Sequence, residues 1–448
     1  MAGCRKLLCV VVAVVCAATE VSPALAEAQN ANVASFELMW STLRDRYWDR
    51  TMAGQNWQAI HDQYLPEIEK ARTTDEARAV MNRMIALLPS SHLAIIPGWT
   101  YKKRSKPSEN PAADKKNDSE EPEEKDDDEG TASTGLTLTV IGNRVVVEAV
   151  EKGSMADQAG VHAGWTVDAV RGIPTGELFT TLGPPERLAK EFLIPEVVQS
   201  WLNGPAGSAV TVAFTTGDGK NVTRDLAREQ PKGTLIRFGN LPPERVRIEH
   251  KFLDNGAGYI QLNIFLNPVV VMPEIQSAIK DFKDAPGIVF DLRNNPGGIG
   301  GMAMGIAGWF VGEEGKRLGT MTNREAKLNF VINPRVYVYK GRLAVLVNEG
   351  SASTTEIFAQ GLQDLGRACV FGTRTAGAAL PSEIIRLPNG DRFQYPEANY
   401  VSVKGRVLEG NGAQPDVLVA PTIPALLEGR DLPLEQASAW AAEKTDKR

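Results

Sequence analysis

The chain has 448 residues, of which 43% are hydrophobic and 23% are charged, and its formal net charge is −6 at pH 7. This composition is typical of a soluble globular protein, and the length allows about three domains. Proteins that bind nucleic acids usually have a basic patch or a high pI, so the acidic pI near 5.5 argues against that class.

Residues 1–26 have the pattern of a secretory signal peptide. Arg5 and Lys6 precede an apolar run over 7–18, and an A-x-A cleavage pattern follows at 24–26. The apolar run is too short to span a bilayer comfortably. We therefore expect export, with cleavage near Ala26 and a periplasmic or secreted mature protein.

A helical region is predicted over residues 27–100, because apolar side chains recur there at helical spacing. The helical pattern stops at a Pro-Ser-Ser-His turn that contains Ser91 and His92, and an extended segment follows. A histidine in such a turn is a candidate base, because a neighbouring hydroxyl can fix its tautomer. Taken alone, each of the four histidines also fits a structural role.

Residues 101–133 are predicted to form a charged, disordered linker. The stretch contains no large apolar side chain over 102–130 and runs from basic to acidic. Such a segment cannot bury enough apolar surface to offset the entropy lost on ordering. An acidic tail that binds a partner is the alternative interpretation.

Short strands separated by glycine-containing turns predict a β-rich domain over 134–230. The domain begins with Gly135, Leu136, Thr137 and Leu138. This stretch resembles a bacterial PDZ domain, in which a Gly-Leu-x-Leu loop holds a peptide carboxylate on backbone N–H groups. The resemblance implies that these four residues bind an extended peptide by strand addition. A PDZ-like module that only packs or gates is the alternative.

Strands and helices alternate over 231–424, which predicts an α/β core. The remaining residues, 425–448, are expected to form a C-terminal helical tail. No His-Glu-x-x-His or paired-cysteine motif occurs, and the glycines at 297–301 do not match a dinucleotide-binding fingerprint. We therefore expect neither a metal site nor another cofactor.

The segment 343–362 predicts a strand, a tight turn and a helix. The turn contains Ser353, whose hydroxyl would lie at the positive end of the helix dipole. A nucleophilic serine is favoured there, because the negative charge that develops during acyl transfer is stabilised. Ser353 and Glu356 also match a helix capping box, so the local pattern alone fits either role.

Three motifs occur in a fixed order: Asp-Leu-Arg-Asn-Asn-Pro-Gly-Gly at 291–298, Gly-Ser-Ala-Ser-Thr-Thr-Glu at 350–356, and Gly-Asn-Gly-Ala-Gln-Pro-Asp at 410–416. Together with the PDZ-like stretch, they resemble the carboxyl-terminal processing (tail-specific) serine protease superfamily. The resemblance implies a crotonase/ClpP-like α/β protease core, with the PDZ-like domain inserted after the helical region.

The same resemblance implies roles for individual residues. The second serine of the Ser-Ala-Ser run, Ser353, would be the nucleophile. The oxyanion hole would be formed by the N–H of Thr354 together with that of Gly297 or Gly298.

The predicted base departs from the Ser–Lys branch of this superfamily. Ala378 occupies the position of the catalytic lysine, and Ser382 that of the glutamine that usually accompanies it. The tricorn-like branch instead has a Ser-His pair at the end of the helical region and a glutamate near the third motif. Ser91, His92 and Glu409 fit this pattern, which implies that His92 is the base and that Ser91 and Glu409 orient it.

The predicted function is that of an exported serine endopeptidase that cleaves protein or peptide substrates. The PDZ-like domain would either recruit these substrates through their C-termini or gate their access to the active site. A catalytically inactive scaffold is the alternative that the missing lysine favours. An esterase is a weaker one, because a PDZ-like module offers little to a small substrate. Assembly into a homo-oligomer and control by a regulatory partner are both left open. With an imidazole base, activity should fall below about pH 6.

Overall fold

The computed structural model describes residues 23–101, 132–181 and 190–443. Almost all of the predicted signal peptide and of the predicted linker therefore lies outside the described residues. The first helix begins at Pro23, so cleavage near Ala26 would remove its first turn. Within the described ranges, no helix has both the length and the apolar character needed to cross a membrane.

The helices and strands fall into three consecutive stretches of the chain. The N-terminal stretch contains α1 (Pro23–Arg46), α2 (Trp57–Lys70), α3 (Thr74–Ile85) and β1 (Ala94–Ile96). The middle stretch contains β2 (Leu136–Ile141), β3 (Arg144–Val150), α4 (Met155–Gln158), β4 (Thr166–Val170), β5 (Ile173–Pro174), α5 (Leu178–Thr181), α6 (Lys190–Leu202), β6 (Ala209–Thr215) and β7 (Asn221–Ala227). The last stretch contains β8 (Thr234–Ile236), β9 (Glu244–Val246), β10 (Ile248–Phe252), β11 (Gly258–Leu262), α7 (Pro268–Asp281), β12 (Gly287–Asp291), α8 (Gly300–Ala307), β13 (Arg317–Asn323), β14 (Lys327–Val331), β15 (Arg342–Val347), α9 (Thr354–Asp364), β16 (Cys369–Gly372), β17 (Ser382–Arg386), β18 (Arg392–Pro396), β19 (Ala398–Ser402), β20 (Val417–Leu418), α10 (Ile423–Leu427) and α11 (Leu432–Ala442).

The three N-terminal helices bury their apolar faces against one another. Thr73 caps α3, because its side chain accepts a hydrogen bond from the Glu76 N–H. The same apolar cluster includes Phe393 and Tyr395 of β18. Strand β1 pairs antiparallel with β18 as well. The turn that contains His92, between α3 and β1, is thereby fixed against the last stretch of the chain.

The middle stretch forms an antiparallel sheet in the order β2-β3-β4-β6-β7, so β2 is an edge strand. Helix α6 packs beside β2, and its Ile194 and Val198 lie in one cluster with Leu136, Leu138 and Phe214. An edge strand has one row of unpaired backbone N–H and C=O groups. The sheet and α6 together enclose a groove along that row.

A six-stranded sheet in the order β10-β11-β12-β15-β16-β20 is the centre of the last stretch. All neighbouring strands are parallel except β10, which is antiparallel to β11. Helices α7, α8 and α9 cover one face. Because β12 and β15 are adjacent and parallel, the loops after them, 292–299 and 348–353, meet at one edge, where α/β proteins place their sites.

The C-terminal segment forms a layer of this core. Helix α11 packs on the second face of the sheet, where Ala437 and Ala441 contact the cluster that contains Val289 and Ala344. The predicted boundary at residue 424 falls inside α10. Helix α11 is therefore packed against the α/β core, whereas Leu427 of α10 lies against Gly164 and Gly217 of the middle stretch. The chain as a whole has a mixed α/β fold.

Candidate active site

The turn between β15 and α9 holds Ser353 in a conformation that few residues other than glycine adopt. Its φ is 55° and its ψ is −120°. Backbone strain of this kind clusters at functional turns, where the surrounding structure maintains it. The turn places Ser353 at the N-terminus of α9, where the first backbone N–H groups have no partner within the helix.

The other serine of the Ser-Ala-Ser run stabilises the turn. The Ser351 hydroxyl donates a hydrogen bond to the Leu292 carbonyl at 2.8 Å and accepts one from the Asn348 N–H at 3.0 Å. The side chain is fully buried. Because its proton is held by a buried carbonyl, Ser351 is not the nucleophile candidate, and the structure separates the two serines by role.

Glu356 is a fully buried carboxylate beneath Ser353. It accepts hydrogen bonds from the Ser353 N–H at 3.1 Å, the Ala378 N–H at 2.9 Å, the Gly377 N–H at 2.9 Å and the Thr375 hydroxyl at 2.5 Å. Burial raises the pKa of Glu356 to about 7, and these four donors act in the opposite direction. The carboxylate half of the capping box thus fixes the backbone of Ser353, so the capping role and the nucleophile role are compatible.

The two glycines of the 292–299 loop differ in what their N–H groups do. Gly297 has φ 101°, and a Cβ there would lie 2.7 Å from the Ser353 Cβ, so no side chain fits. The Gly297 N–H already donates to the Asn295 side chain at 2.9 Å. In the described part of the chain, the N–H groups of Gly298 and Thr354 have no acceptor, and the Thr354 hydroxyl holds the Gly298 carbonyl at 2.7 Å. Of the two predicted glycines, the geometry favours Gly298 as the partner of Thr354.

Asn295 organises this loop, and the sequence analysis assigned it no role. Its side chain donates to the Leu262 carbonyl at 2.8 Å and accepts from the Thr355 hydroxyl at 2.9 Å and from Gly297. Its carbonyl accepts from the Ala352 N–H at 3.0 Å. The signal in the sequence was a pair of asparagines directly after a buried strand, where a polar side chain must find partners.

Ser91, His92 and Glu409 lie together although the chain separates the first two from the third. The Ser91 hydroxyl donates to Glu409 Oε2 at 2.9 Å, and the Ser91 N–H donates to Oε1 at 2.6 Å. Ser91 Oγ is also 2.7 Å from His92 Nδ1. Tyr47 and Trp48 of the N-terminal helical region fix the turn by hydrogen bonds to Ser90.

Counting protons assigns the tautomer of His92. The single proton of the Ser91 hydroxyl points to the Glu409 carboxylate, so Nδ1 of His92 must donate to Ser91 Oγ. Nε2 is then unprotonated and can act as a base. His92 has φ 59°, a left-handed backbone conformation that is uncommon for residues other than glycine. Burial lowers its pKa to about 4, so the imidazole is neutral over a wider pH range than an exposed histidine.

The two halves of the site meet at the backbone of residues 378–379. The Ser353 N–H donates to the Ala378 carbonyl at 2.8 Å, and the Ala379 N–H donates to Glu409 Oε2 at 3.1 Å. Within the described ranges, no hydrogen bond joins the His92 ring directly to the Ser353 hydroxyl. Hydrogen bonds between catalytic groups are often long before substrate binds.

Ala378, at the position of the lysine in the Ser–Lys branch, is buried in a cluster of small side chains. Ala352 and Ala376 are its buried neighbours, and Phe192 of α6 packs against them. The middle stretch of the chain therefore contacts the nucleophile turn through α6. A larger side chain at position 378 would have to displace these buried neighbours.

The predicted peptide-binding residues lie apart from Ser353. Gly135 has φ 82° and a Cβ there would collide with Ser154, while Leu136 and Leu138 point into the core of their sheet. Thr137 lies between them on the edge strand β2. The groove along β2 ends at the turn 348–350, directly before the nucleophile segment.

No cluster of three or more histidine, cysteine, aspartate or glutamate side chains that could hold a metal ion occurs in the described ranges. The chemistry available at this site is that of a hydroxyl, an imidazole, buried carboxylates and backbone N–H groups.

Comparison with known proteins shows which family the chain resembles. Residues 256–419 match the model of peptidase family S41, and residues 32–86 match the model of the tricorn protease C1 domain. The chain is similar, over these segments, to proteases of the carboxyl-terminal processing superfamily. It is accordingly a serine peptidase that acts on protein substrates.

Proteins similar to this chain are found in plants and bacteria. It is 26% identical over 389 residues to the chloroplastic carboxyl-terminal-processing peptidase 3 of Arabidopsis thaliana, covering 84% of this chain and 67% of the relative. It is 27% identical over 392 residues to the carboxyl-terminal-processing protease of Picosynechococcus sp., covering 85% and 81%. A carboxy-terminal-processing protease of Bartonella bacilliformis is 26% identical, and there the match covers 68% of this chain and 64% of the relative.

Two solved structures share the fold of the peptidase. The photosystem II D1 C-terminal processing protease has a TM-score of 0.56 at 20% identity and covers 89% of this chain and 96% of its own. Mature CPAF in complex with lactacystin has a TM-score of 0.59 at 13% identity and covers 93% and 98%. At these identities the likeness concerns the fold alone.

Proposed function

We propose that the chain is an exported serine endopeptidase of the tricorn-like branch. In this proposal Ser353 is the nucleophile, His92 is the general base, Ser91 and Glu409 orient His92, and the N–H groups of Gly298 and Thr354 form the oxyanion hole. The α/β stretch is then a crotonase/ClpP-like core over 231–424, extended by the packed C-terminal helices. The match of the helical region to the tricorn C1 model supports this branch.

One observation carries the proposal. The backbone at Ala378 and Ala379 joins the segment that holds Ser353 to the carboxylate that holds Ser91 and His92. A lysine base would have to occupy position 378, where this chain has a buried alanine among apolar side chains. The hydrogen-bonded set of Ser91, His92 and Glu409 supplies a neutral base and a group that orients it, as a protease site requires.

The proposed reaction uses these groups in two steps. His92 Nε2 takes the proton of Ser353 as its oxygen attacks the peptide carbonyl, and the oxyanion accepts hydrogen bonds from Gly298 and Thr354. The imidazolium then gives this proton to the leaving amine, which leaves an acyl-enzyme. Water, deprotonated by His92, hydrolyses that ester and restores the Ser353 hydroxyl. During both steps the Nδ1 proton stays on the hydrogen bond to Ser91, and the carboxylate of Glu409 offsets the imidazolium charge.

The middle stretch, 134–230, is proposed to be an inserted PDZ-like domain that recruits extended chain ends. Its edge strand β2 leaves backbone groups available, and the groove beside it ends at 348–350. Contact between Phe192 and the alanines beside Ser353 provides a route for gating. The further proposed segments are a signal peptide over 1–26, the helical region over 27–100 and a charged linker over 101–133.

The test uses the mature chain, residues 27–448, and its Ser353→Ala and His92→Ala variants. Cleavage of fluorescein-labelled casein and labelling by a serine-directed phosphonate are measured side by side. Both variants should lose cleavage, and both should lose labelling, because the probe needs an activated hydroxyl. His250→Ala is the matched control, since His250 lies on β10 and contacts Asp281 at 3.1 Å. Undiminished cleavage by His92→Ala, with the His250→Ala variant inactive, would contradict the assignment of the base.

A further inference from the structure

The groove between β2 and α6 has two ends with different surroundings. One end, lined by Gly135 and Asn203, opens into a cavity of about 1230 Å³. The other end, lined by Thr139 and Glu349, is a cavity of about 210 Å³ next to the nucleophile turn. Glu196 of α6 lies between the two and lines both. The groove therefore runs from the start of β2 towards the active site.

Carboxylates line the end of the groove near the active site. Glu191 comes from the first turn of α6, and Glu349 comes from the turn before Ser353. The two are close enough that Glu191 contributes to the raised pKa of Glu349, behind burial as the main cause. Arg374 lies near Glu349 and partly offsets this repulsion. Within the described ranges, neither glutamate forms an ion pair with a lysine or arginine.

A second pair of carboxylates, Glu196 and Glu244, lines the large cavity next to Gly135. Burial raises the pKa of Glu244 to about 7, and the neighbouring Glu196 adds to that effect. Neither of these side chains has an ion-pair partner in the part of the chain that the structure describes. Like charges that face one another across a partly buried groove are stabilised when a cation enters between them.

The opposite end of the groove contains cationic side chains. Lys152, Lys232, Arg245 and Arg247 line the cavity next to Gly135. Glu151 pairs with Lys232 at 3.1 Å and with Arg247 at 3.2 Å, and Glu196 and Glu244 line the same cavity, so charges of both signs meet there. The groove thus offers cationic side chains near the place where a strand-adding peptide would put its terminal carboxylate. The charged side chains that line its other end, among the described residues, are the carboxylates Glu191, Glu196 and Glu349.

We infer that the groove selects extended C-terminal segments that carry a lysine or arginine upstream of the terminal carboxylate. The carboxylate lies at Gly135, and the cationic side chain lies between Glu191 and Glu349. From Gly135 to Thr139 a strand advances roughly 13 Å, so the basic residue is roughly three to five positions from the terminus. A peptide bound in this way has the segment that precedes its basic residue next to Ser353. The inference rests on the proposed peptide-recruiting role of the 134–230 domain.

The test measures binding without cleavage, in the mature chain with Ser353→Ala. Three fluorescein-labelled peptides of equal length and a common alanine-rich sequence differ only at the fourth residue from the free C-terminus, which is lysine, alanine or glutamate. Fluorescence anisotropy at low salt should show the lysine peptide binding roughly five- to thirtyfold more tightly than the glutamate peptide, as expected for one or two partly exposed charge pairs. The difference should shrink at high salt, because salt screens these pairs.

Variants identify the carboxylates responsible. Glu191→Gln/Glu349→Gln should bind the three peptides with similar affinity while it binds the alanine peptide as the parent does. Glu325→Gln/Glu428→Gln removes the same charge from exposed sites outside the groove and should keep the discrimination. Thermal denaturation verifies that each variant is folded.

Three results would overturn the inference. The lysine and glutamate peptides could bind equally well, the discrimination could persist in the Glu191→Gln/Glu349→Gln variant, or no peptide could bind. The protease assignment is tested independently by phosphonate labelling of the parent chain with Ser353 intact. Loss of charge selectivity with labelling retained contradicts only the groove inference, whereas loss of labelling contradicts the proposed catalytic set.

Discussion

Replacing Glu409 with glutamine tests how the tautomer of His92 is set. The carboxylate accepts the Ser91 N–H at Oε1 and both the Ser91 hydroxyl and the Ala379 N–H at Oε2. Glutamine has one acceptor oxygen and one NH2 group. If its NH2 faces the Ser91 hydroxyl, that hydroxyl must accept this bond and donate to His92 Nδ1, which moves the imidazole proton to Nε2. If it faces the Ser91 N–H, two donors meet at a contact now only 2.6 Å long.

Both orientations are costly, and the first removes the base. An unsatisfied buried donor costs about 1–3 kcal/mol of stability. The equivalent amide substitution in Ser-His-Asp proteases lowers kcat about 10⁴-fold because it imposes the wrong tautomer. Here the serine between the carboxylate and the imidazole allows some rearrangement, so we expect kcat to fall roughly 10²- to 10⁴-fold, or about 3–5 kcal/mol in the activation barrier.

The assay is cleavage of an internally quenched peptide under saturating conditions, with circular dichroism to verify folding. Glu409→Ala is the informative control, because it removes the acceptor without adding a donor and leaves Nδ1 free to donate to Ser91. We expect Glu409→Ala to retain more activity than Glu409→Gln. The reasoning is refuted if folded Glu409→Gln has a kcat within threefold of the parent, or if the order of the two variants is reversed.

Three further predictions concern the same site. Ala378→Lys should lower activity in a peptide-cleavage assay, because the methyl group of Ala378 is enclosed by small side chains. For the same reason it should not rescue His92→Ala. Restored cleavage in the double variant would support a Ser–Lys dyad instead. Ser351→Ala should lower the midpoint of thermal unfolding by several degrees, because a buried hydrogen bond is lost. The variant should still be labelled by the phosphonate at Ser353. Loss of labelling without loss of stability would contradict the structural role of Ser351. Burial lowers the pKa of His92 to about 4, and the neutral imidazole is the base, so kcat/KM should decline only as the pH approaches 4. A histidine with its ordinary pKa would already lose activity below pH 6. A decline centred near pH 6.5, in a titration where chemistry limits the rate, would show that the ring is exposed in solution.

The sequence by itself determined the candidates for the chemistry. The strand-turn-helix pattern around Ser353 follows from local hydrophobic periodicity and small residues, which act over a few positions and can be read directly. The expectation that His92 is the base came from the resemblance of Ser91, His92 and Glu409 to the tricorn-like branch, together with the alanine at 378. The alternation of strands and helices over 231–424 also predicted the mixed α/β class, because periodicity switches visibly between the two element types.

The tertiary structure decided how distant segments meet. No local pattern connects Ser91 with Glu409, since 318 positions separate them. The pairing of β1 with β18 and the packing of the N-terminal helices on β18 bring the turn that contains Ser91 to the core. The choice of Gly298 over Gly297 depends on which N–H already donates a hydrogen bond to Asn295. The spacing of the glycines in the sequence does not reveal these hydrogen-bond partners.

The same holds for the electrostatics and for the last helix. Burial, which lowers the pKa of His92, is a property of the assembled site and not of a Ser-Ser-His turn. The predicted tail lies on the second face of the sheet because Ala437 and Ala441 allow close approach of α11 to β12, where a side chain at Gly287 would meet the carbonyl of Ala441. Small residues on a helix are compatible with exposure or with tight packing, and only the position of the neighbouring strand distinguishes the two.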